Sequence, residues 1–187
     1  MKLVVFGYGA VGRDTTKLLA ERGDDVLVAQ RTEPKELPAT VRFVACDLTD
    51  AAAVAAACAG RDVAICTAGF PYHSKVWEAS WPPAMRALLD GCRLAEARFV
   101  FADNLYMYGP QTDPLVETMP LTTYGRKPRV RAEITRMWQA AAAAGDLRAV
   151  ALRASDFYGP DVANSVLAGY GVANLVAGKP AIVPYDP

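Results

Sequence analysis

The sequence has little of what metal sites and membrane spans require. Among its 187 residues there is one histidine, His73, and there are four cysteines without a Cys-x-x-Cys pair. A Cys/His zinc cage therefore has few ligands to draw on, and we expect no metal site. No apolar run reaches the roughly 18 residues that a membrane-spanning helix needs, so we expect no membrane partner.

Charge of either sign is not in excess either. Twenty Lys and Arg residues balance twenty Asp and Glu residues, and 52% of the chain is hydrophobic. This balance excludes a disordered chain and does not favour nucleic acid. The basic cluster at residues 126–131 is better explained as a helix N-terminus that faces a pyrophosphate or an anionic substrate. Three of the cysteines lie among Val, Ala and Ile, which indicates reduced thiols and a cytoplasmic protein.

Short apolar runs alternate with helical stretches along the chain. Strands are predicted at residues 2–6, 25–30, 41–45, 62–66, 98–102 and 147–153. Helices are predicted at residues 10–22, 50–58, 82–97, 131–144 and 164–177, with Thr49 or Asp50 as an N-cap and Pro82-Pro83 opening the third. This alternation predicts an α/β fold, a doubly wound parallel sheet of the Rossmann type covered on both faces.

The two ends of the chain differ in what they predict. Residues 1–160 contain all six predicted strands and form a predicted dinucleotide-binding domain. Residues 161–187 are interpreted as the start of a C-terminal substrate lobe. Residues 179–187 resemble the beginning of another strand or loop with no helix after it, so we expect a lobe that is short or missing and a truncation after Pro187.

A glycine-rich loop follows the first strand and opens the first helix. Its sequence is Gly7-Tyr8-Gly9-Ala10-Val11-Gly12, a G-x-G-x-x-G pattern. The first glycine permits a tight turn, the second lets a pyrophosphate approach the backbone, and the third lets the helix pack closely. A helix N-terminus adds N–H donors and a positive dipole. The loop therefore predicts dinucleotide binding.

The end of the second strand bears on which dinucleotide binds. A site that prefers NAD usually carries Asp or Glu here to hold the ribose 2′-hydroxyl, but this chain has Gln30 and Arg31. Arg31 suits a 2′-phosphate, which favours NADP. Glu33 lies nearby and keeps NAD possible.

Four further segments follow the third to sixth strands in order. They are Asp47-Leu48-Thr49-Asp50, Thr67-Ala68-Gly69, Asn104-Leu105-Tyr106-Met107-Tyr108-Gly109-Pro110 and Arg153-Ala154-Ser155-Asp156-Phe157-Tyr158-Gly159-Pro160. With the glycine-rich loop, they resemble the extended or atypical short-chain dehydrogenase/reductases, the NAD-dependent epimerase/dehydratase family. The resemblance covers nearly the whole chain.

The resemblance implies roles for these segments. Asp47 would contact the adenine, with Leu48 beside it, whereas a plain helix-capping role suits Asp50 better. Thr67, Ala68 and Gly69 would lie along the cofactor ribose, and the segment after the sixth strand would border the nicotinamide and the substrate. The family's common homodimer, through the helices after the fourth and fifth strands, is possible here.

The family's catalytic pattern is Tyr-x-x-x-Lys with a Ser or Thr near the fifth strand, and the chain departs from it. Four residues after Tyr124 stands Pro128, and Lys127 comes one position early. Counting back along the helix places Arg129 or Arg131 near the lysine position, and Asp103 or Asn104 takes the Ser/Thr position. The candidate catalytic residues are Tyr124, Lys127 and Asn104.

Several other aromatic or titratable residues fall near the expected crevice. They are Tyr106, Tyr108, Tyr158 and His73. One of the tyrosines could donate a proton, or all of them could line the pocket or pack, and His73 fits a loop residue. Two functions follow: an NADP-dependent enzyme that transfers hydride on a nucleotide-sugar or another small carbonyl or alcohol, or a cofactor-binding sensor without turnover.

Overall fold

A computed structural model describes residues 1–162, residue 165 and residues 167–182. Six strands are present: β1 (Lys2–Phe6), β2 (Asp25–Gln30), β3 (Arg42–Ala45), β4 (Val63–Cys66), β5 (Arg98–Asp103) and β6 (Ala149–Arg153). The helices are α1 (Ala10–Glu21), α2 (Ala51–Cys58), α3 (Ser74–Leu94), α4 (Arg126–Ala143) and α5 (Ala173–Val176). A 3-10 helix spans Tyr106–Tyr108 and a π-helix spans Leu167–Val172.

The six strands form one parallel sheet in the order β3-β2-β1-β4-β5-β6. The predicted doubly wound sheet is therefore confirmed. The strands β1, β2 and β3 follow one another toward one edge of the sheet. The chain then returns to the centre, where β4 pairs with β1, and β5 and β6 continue toward the other edge. Ligands of such sheets bind at the carboxyl ends of the strands beside this reversal point, between β1 and β4.

The two faces of β1 enter two different cores, which is why the strand is apolar throughout. Val4 and Phe6 pack toward α2, α3 and α4, in a core that contains Trp81 and Leu88. Leu3 and Val5 pack on the opposite face, in a smaller core with Leu19 of α1. Burial on both faces selects continuous apolar residues over an alternating pattern.

Helices cover both faces of the sheet as predicted, but the coverage is less complete at the edge strand β6. In β6, the side chains of Val150 and Leu152 are 50% and 66% exposed. The helix α1 packs over β1 and β2, at the other end of the sheet. Among the described residues, no element buries this face of β6.

The prediction that α3 starts at Pro82 was wrong. The helix begins eight residues earlier, at Ser74, and contains both Pro82 and Pro83. Proline lacks an N–H donor and normally ends a helix. Here the extra turns bury Trp77 and Trp81, four residues apart on the same helix face, and this packing outweighs the lost backbone hydrogen bonds.

The helix α4 also starts earlier than predicted, at Arg126 and not at residue 131. Gly125 (φ 68°) turns the chain into the helix, and Pro128 falls in the first helical turn. The N–H groups of that turn have no intrahelical partner, so a proline costs little there. For the predicted helix 164–177, the described part is the π-helix followed by α5. Asn164, and residues 183–187 of the predicted final strand or loop, lie outside the described residues.

Candidate functional site

The glycine-rich loop is shaped by two contacts that exclude side chains. Gly7 has φ +94°, and a Cβ there would lie 2.6 Å from the Ala68 Cα atom. A Cβ on Gly12 would lie 2.1 Å from the Gly7 carbonyl oxygen and 2.5 Å from Thr67 Oγ1. The loop and the turn after β4 therefore touch, and only glycine fits at these two positions.

Gly9 differs from its two neighbours in the motif. It is the N-cap of α1, and a Cβ built on it would meet nothing within 4 Å. Packing within the protein therefore does not require glycine at this position. The bare backbone leaves space at a helix N-terminus, which is what a bound pyrophosphate needs.

Gln30 and Arg31, at the end of β2, differ in their contacts. The Gln30 side chain accepts a hydrogen bond from Tyr8 N–H (2.9 Å) and donates one to the Thr32 carbonyl (2.7 Å). It therefore fixes the glycine-rich loop to β2. Arg31 is exposed, and among the described residues no carboxylate lies within ion-pair distance of its guanidinium.

Asp47 follows β3 and forms a tight turn. Its Oδ1 atom accepts hydrogen bonds from Thr49 N–H (2.9 Å) and Thr49 Oγ1 (2.7 Å), which lower the pKa of this carboxyl group, with a further contribution from the charge of Arg31. Asp50 is the N-cap of α2 and accepts from Ala52 and Ala53 N–H, as predicted. Both aspartates thus have structural partners.

Thr67 connects the turn after β4 to the glycine-rich loop. Its single hydroxyl proton is shared between the carbonyls of Phe6 (3.2 Å) and Gly7 (3.0 Å). The segment Thr67-Ala68-Gly69 therefore lies directly beside β1, at the reversal point of the sheet. Small residues here keep the backbone accessible.

Most of the predicted cofactor residues surround one open cavity of about 390 Å³, which we call the first cavity. Its lining is Gly7, Tyr8, Gly9, Ala29, Gln30, Arg31, Thr32, Cys46, Asp47, Leu48, Thr67, Ala68, Gly69 and Phe70. Of the remaining predicted residues, Ala10 begins α1, Gly12 packs against Gly7, and Val11 lines a neighbouring cavity. Segments distant in sequence thus meet as the motifs predicted.

That neighbouring cavity, the second cavity, measures about 200 Å³ and shares Thr67, Ala68 and Gly69 with the first. Its other lining residues are Val11, Trp77, Trp81, Ala102, Asp103, Asn104, Arg131 and Phe157. The two cavities therefore adjoin along the turn after β4. Together they form a crevice that runs from β3 to β5 along the carboxyl ends of the strands.

A buried ion pair forms one wall of the second cavity. An Arg131 Nη atom donates to Asp103 Oδ1, and both side chains are almost completely buried. The guanidinium also lies 4.5 Å from the Trp81 ring centroid, and Arg153 Nε lies 3.9 Å from Asp103 Oδ2. From the sequence, Arg131 was only one candidate for the lysine position. The ion pair itself was not predicted, because Arg131 and Asp103 lie 28 residues apart.

The three candidate catalytic residues are placed differently. Asn104 lines the second cavity, and its Oδ1 atom accepts from Tyr106 N–H (3.1 Å). Tyr124 lies just before α4, and its side chain is 67% exposed. Lys127 extends over the Tyr72 ring, with Nζ 2.9 Å from the centroid. Neither Tyr124 nor Lys127 lines the part of the second cavity that the structure describes.

The remaining candidates also have defined surroundings. Tyr108 is buried and accepts a hydrogen bond from Arg153, whereas Tyr158 is exposed. His73 is exposed and is the N-cap residue of α3 without a side-chain capping bond. Tyr106 forms a hydrogen bond with Tyr72, a residue that no motif indicated.

The side chains of the basic cluster at the start of α4 have partners within the fold. Arg126 donates to Glu78 (Nε to Oε1, 2.8 Å), and Arg129 lies 3.6 Å from the same carboxylate. Glu78 therefore has a lowered pKa, mainly because of the hydrogen bond from Arg126. Lys127 and Arg131 face aromatic rings. The cluster thus contacts α3 and the aromatic side chains at one end of the crevice.

Within residues 1–162, 165 and 167–182, no three His, Cys, Asp or Glu side chains are grouped as metal ligands would be. None of the helices in these same ranges combines the length and the apolar character needed to cross a bilayer.

The sequence profile of the NAD dependent epimerase/dehydratase family matches residues 3–186. The chain belongs to this family. Family membership agrees with the glycine-rich loop after β1 and with the order of the strands. The predicted resemblance to the NAD-dependent epimerase/dehydratase family is thus confirmed.

Solved structures show the same fold. A UDP-galactose 4-epimerase is 22% identical, with a TM-score of 0.81 over 94% of this chain and 63% of its own. The Bordetella bronchiseptica enzyme WbmG, solved with NAD and UDP, is 18% identical, with a TM-score of 0.80 over 96% of this chain and 60% of its own. A UDP-glucose 4-epimerase from Brucella ovis, solved with NAD, is 26% identical, with a TM-score of 0.70 over 83% and 52%.

This chain thus spans about 60% of the length of WbmG. Among curated proteins, none matches it.

Proposed function

We propose that this chain binds NADP in the crevice and acts by hydride transfer on a nucleotide-sugar or another small carbonyl or alcohol substrate. The observation that carries the proposal is the junction of the two cavities at Thr67, Ala68 and Gly69. A dinucleotide has two ends, and this crevice offers a separate cavity for each. The NAD-bound relatives WbmG and UDP-glucose 4-epimerase support a nicotinamide cofactor.

The residues present fit such a cofactor. Gly9 leaves open space at the N-terminus of α1, where a pyrophosphate gains N–H donors and a favourable dipole. The adenine end would lie beside Asp47 and Leu48 in the first cavity. When bound, a nicotinamide ring accepts or supplies a hydride.

We propose NADP over NAD because of Arg31. It lines the first cavity at the end of β2, and among the described residues no carboxylate lies within ion-pair distance of its guanidinium. A guanidinium recognises a phosphate through charge-assisted hydrogen bonds. NAD remains the alternative cofactor, and Gln30 would then face the ribose while retaining its bond to Tyr8.

The catalytic roles follow from the chemistry of each candidate. Asn104 would donate its amide N–H to the oxygen of the substrate, since its Oδ1 atom is already occupied by Tyr106 N–H. Tyr124 would be the acid/base residue, and Lys127 would support it. The exposed position of Tyr124 requires it to move toward the second cavity.

A sensor without turnover is the second candidate function. Pro128 stands where the family pattern has lysine, and Tyr124 is exposed outside the second cavity. A protein of this kind would still bind the cofactor, because the first cavity does not depend on these residues. Binding and turnover therefore separate the two functions.

The binding experiment is a calorimetric titration of the wild-type protein with NADPH and with NADH. Arg31→Ala should weaken NADPH by about tenfold or more, because a hydrogen bond to a charged group contributes roughly 1.5–3 kcal/mol. Its effect on NADH should be small. The control is Arg148→Ala. Arg148 is exposed and directly precedes β6, at the amino ends of the strands, whereas the crevice lies at their carboxyl ends. If neither nucleotide binds, both candidate functions are rejected; if Arg31→Ala leaves NADPH affinity intact, the NADP preference is wrong.

The turnover experiment incubates the cofactor-loaded protein with UDP-glucose, UDP-galactose and UDP-glucuronate, and with a panel of small carbonyl and alcohol substrates. Interconversion of sugars or a change in nicotinamide absorbance supports the enzyme. Cofactor binding without either change across the panel supports the sensor.

We further propose a cytoplasmic protein that forms a homodimer through α3 and α4. Light scattering during size-exclusion chromatography tests the dimer. A monomer at all protein concentrations would reject it.

A further inference from the structure

The buried carboxylate of Asp103 joins three segments at one end of the crevice. Asp103 is the last residue of β5, and its Oδ1 atom accepts a hydrogen bond from Arg131 of α4. Its Oδ2 atom lies 3.9 Å from Nε of Arg153, the last residue of β6. Its backbone carbonyl accepts a hydrogen bond from Ala154 N–H (3.1 Å). One residue therefore holds the end of β5 against α4 and against the end of β6.

The same carboxylate fixes the residue that follows it. Asp103 Oδ1 also accepts a hydrogen bond from Asn104 N–H (2.8 Å), and Asn104 Oδ1 accepts one from Tyr106 N–H (3.1 Å). Only the oxygen of an amide group accepts, so the second bond sets which way the Asn104 amide faces. In the part of the chain that the structure describes, the Asn104 NH2 group has no hydrogen-bond partner. It is therefore a donor left for a ligand of the second cavity, which Asn104 lines.

Burial keeps this arrangement in place. The side chains of Asp103 and Arg131 are 0% and 3% exposed, so water does not compete for their hydrogen bond. The Arg131 guanidinium also lies 4.5 Å from the ring centroid of Trp81 and 5.0 Å from that of Phe101. A charge-assisted hydrogen bond is stronger than a neutral one, and a dry environment strengthens it further. The carboxylate that accepts from Asn104 N–H is therefore itself held in one position.

Stability alone does not account for this ion pair. Replacing a buried ion pair by apolar side chains of similar volume is often neutral or stabilising, so such a pair is weak evidence for a purely structural role. This pair lines the second cavity together with Asn104, one of the two residues that could take the family's Ser or Thr position. A displacement of about 1 Å in a group that orients the substrate can cost roughly 10²-fold in rate. The pair thus lies where orientation matters most.

We propose that Asp103 is a positioning residue, which Arg131 holds in place and which directs the Asn104 amide N–H toward the substrate oxygen. Asp103 does not itself reach the substrate, because its side chain has no exposed surface. Asn104 makes the contact, and Asp103 limits the directions from which that contact is made. The inference rests on the proposed function and deepens it, since the donor in the second cavity then depends on a buried charge that the ligand does not touch.

Two double variants remove the ion pair and differ in one feature. Asp103→Leu/Arg131→Met, the leucine variant, makes both side chains apolar and leaves Asn104 N–H without its side-chain acceptor. Asp103→Asn/Arg131→Met, the asparagine variant, keeps an amide oxygen that can accept from Asn104 N–H. Urea unfolding establishes that both variants fold. If the leucine variant does not fold, Asp103→Asn alone takes its place.

The first test needs neither cofactor nor substrate. In isotope-labelled protein, NMR follows the side-chain NH2 resonances of Asn104, with those of Asn174 in α5 as the reference. In the leucine variant the Asn104 resonances should move toward those of an unconstrained amide, and the asparagine variant should move them less. Asp103→Asn alone should give the smallest shift. Unchanged Asn104 resonances in the leucine variant, or in Asp103→Asn where that variant replaces it, would overturn the inference.

The second test measures turnover on the substrate panel. The leucine variant should lower kcat by about 10²-fold and the asparagine variant by less. Both should bind 2′-phospho-ADP-ribose as the wild type does, since the ion pair does not line the first cavity. In an Asn104→Ala background the leucine variant should cause little further loss, because the group that Asp103 positions is then absent.

The outcomes separate this inference from the proposed function. An equally large loss of kcat in the Asn104→Ala background would overturn the inference, since the pair would then act without Asn104. A wild type that turns over none of the substrates would reject the enzymatic function and the substrate contact of Asn104. The NMR comparison would still decide whether Asp103 fixes Asn104.

Discussion

The two cavities of the crevice are built in different ways. The first cavity is formed by loops that directly follow β1, β2, β3 and β4, and its contacts involve backbone atoms and small residues. The second cavity is formed by tryptophans of α3, by Arg131 of α4 and by the end of β5. The first therefore depends on local loop geometry, whereas the second depends on how helices pack on the sheet. Mutations should consequently affect the two cavities differently.

Loss of Arg131 should have the largest effect on stability. Arg131→Met leaves the buried Asp103 carboxylate without its main partner, which typically costs about 3–5 kcal/mol. Urea unfolding measures this loss. The control is Arg129→Met, since Arg129 forms only an exposed ion pair with Glu78 and its loss should change little. Equal stability of the two variants would show that the second cavity does not depend on the buried pair.

Substitutions at two glycines of the glycine-rich loop should distinguish an effect on stability from an effect on cofactor binding. Gly12→Ala should destabilise the protein by about 1–3 kcal/mol, because the new Cβ overlaps the Gly7 carbonyl. Gly9→Ala meets no protein atom within 4 Å and should retain stability, but its methyl group occupies the space proposed for the pyrophosphate. Urea unfolding and NADPH titration measure the two effects. Normal NADPH affinity in Gly9→Ala would contradict the proposed position of the cofactor.

The cap of α2 should matter for stability alone. Asp50→Ala removes the acceptor for Ala52 and Ala53 N–H and should cost about 1 kcal/mol. Asp50→Asn, the matched variant, keeps an acceptor and should lose less. Thermal unfolding compares the two. Because Asp50 does not line either cavity as described, a loss of NADPH affinity in Asp50→Ala would be unexpected.

The smallest effect concerns the Asp47 turn. Thr49→Val removes the hydroxyl donor and keeps the N–H donor, so the pKa of Asp47 should rise toward its ordinary value. Because the folded-state pKa is lowered, this interaction stabilises the fold above the unfolded-state value of about 3.9 and is lost as the pH falls through the folded-state value. NMR titration of the carboxyl group measures the shift. An unchanged pKa would show that the hydroxyl does not contribute.

Sequence reasoning succeeded for the parts that depend on local patterns. The apolar strands, the G-x-G-x-x-G loop and the segments after β3 and β4 predicted the sheet and the lining of the first cavity, since each of these needs only neighbouring residues. The early start of α3 was missed because the burial of Trp77 and Trp81 is a tertiary effect. The Arg131–Asp103 pair and the Tyr72–Tyr106 contact join residues 28 and 34 positions apart, and no spacing rule indicates them.

The most direct test of the central claim, that one dinucleotide occupies both cavities, is an NMR comparison of two ligands. 2′-Phospho-ADP-ribose lacks the nicotinamide and should shift the amide resonances of Gly9, Arg31 and Asp47 only. NADPH should shift these and also those of Gly69 and Asn104, together with the indole N–H resonances of Trp77 and Trp81. Identical shifts for the two ligands, or shifts confined to residues outside the crevice, would contradict the account.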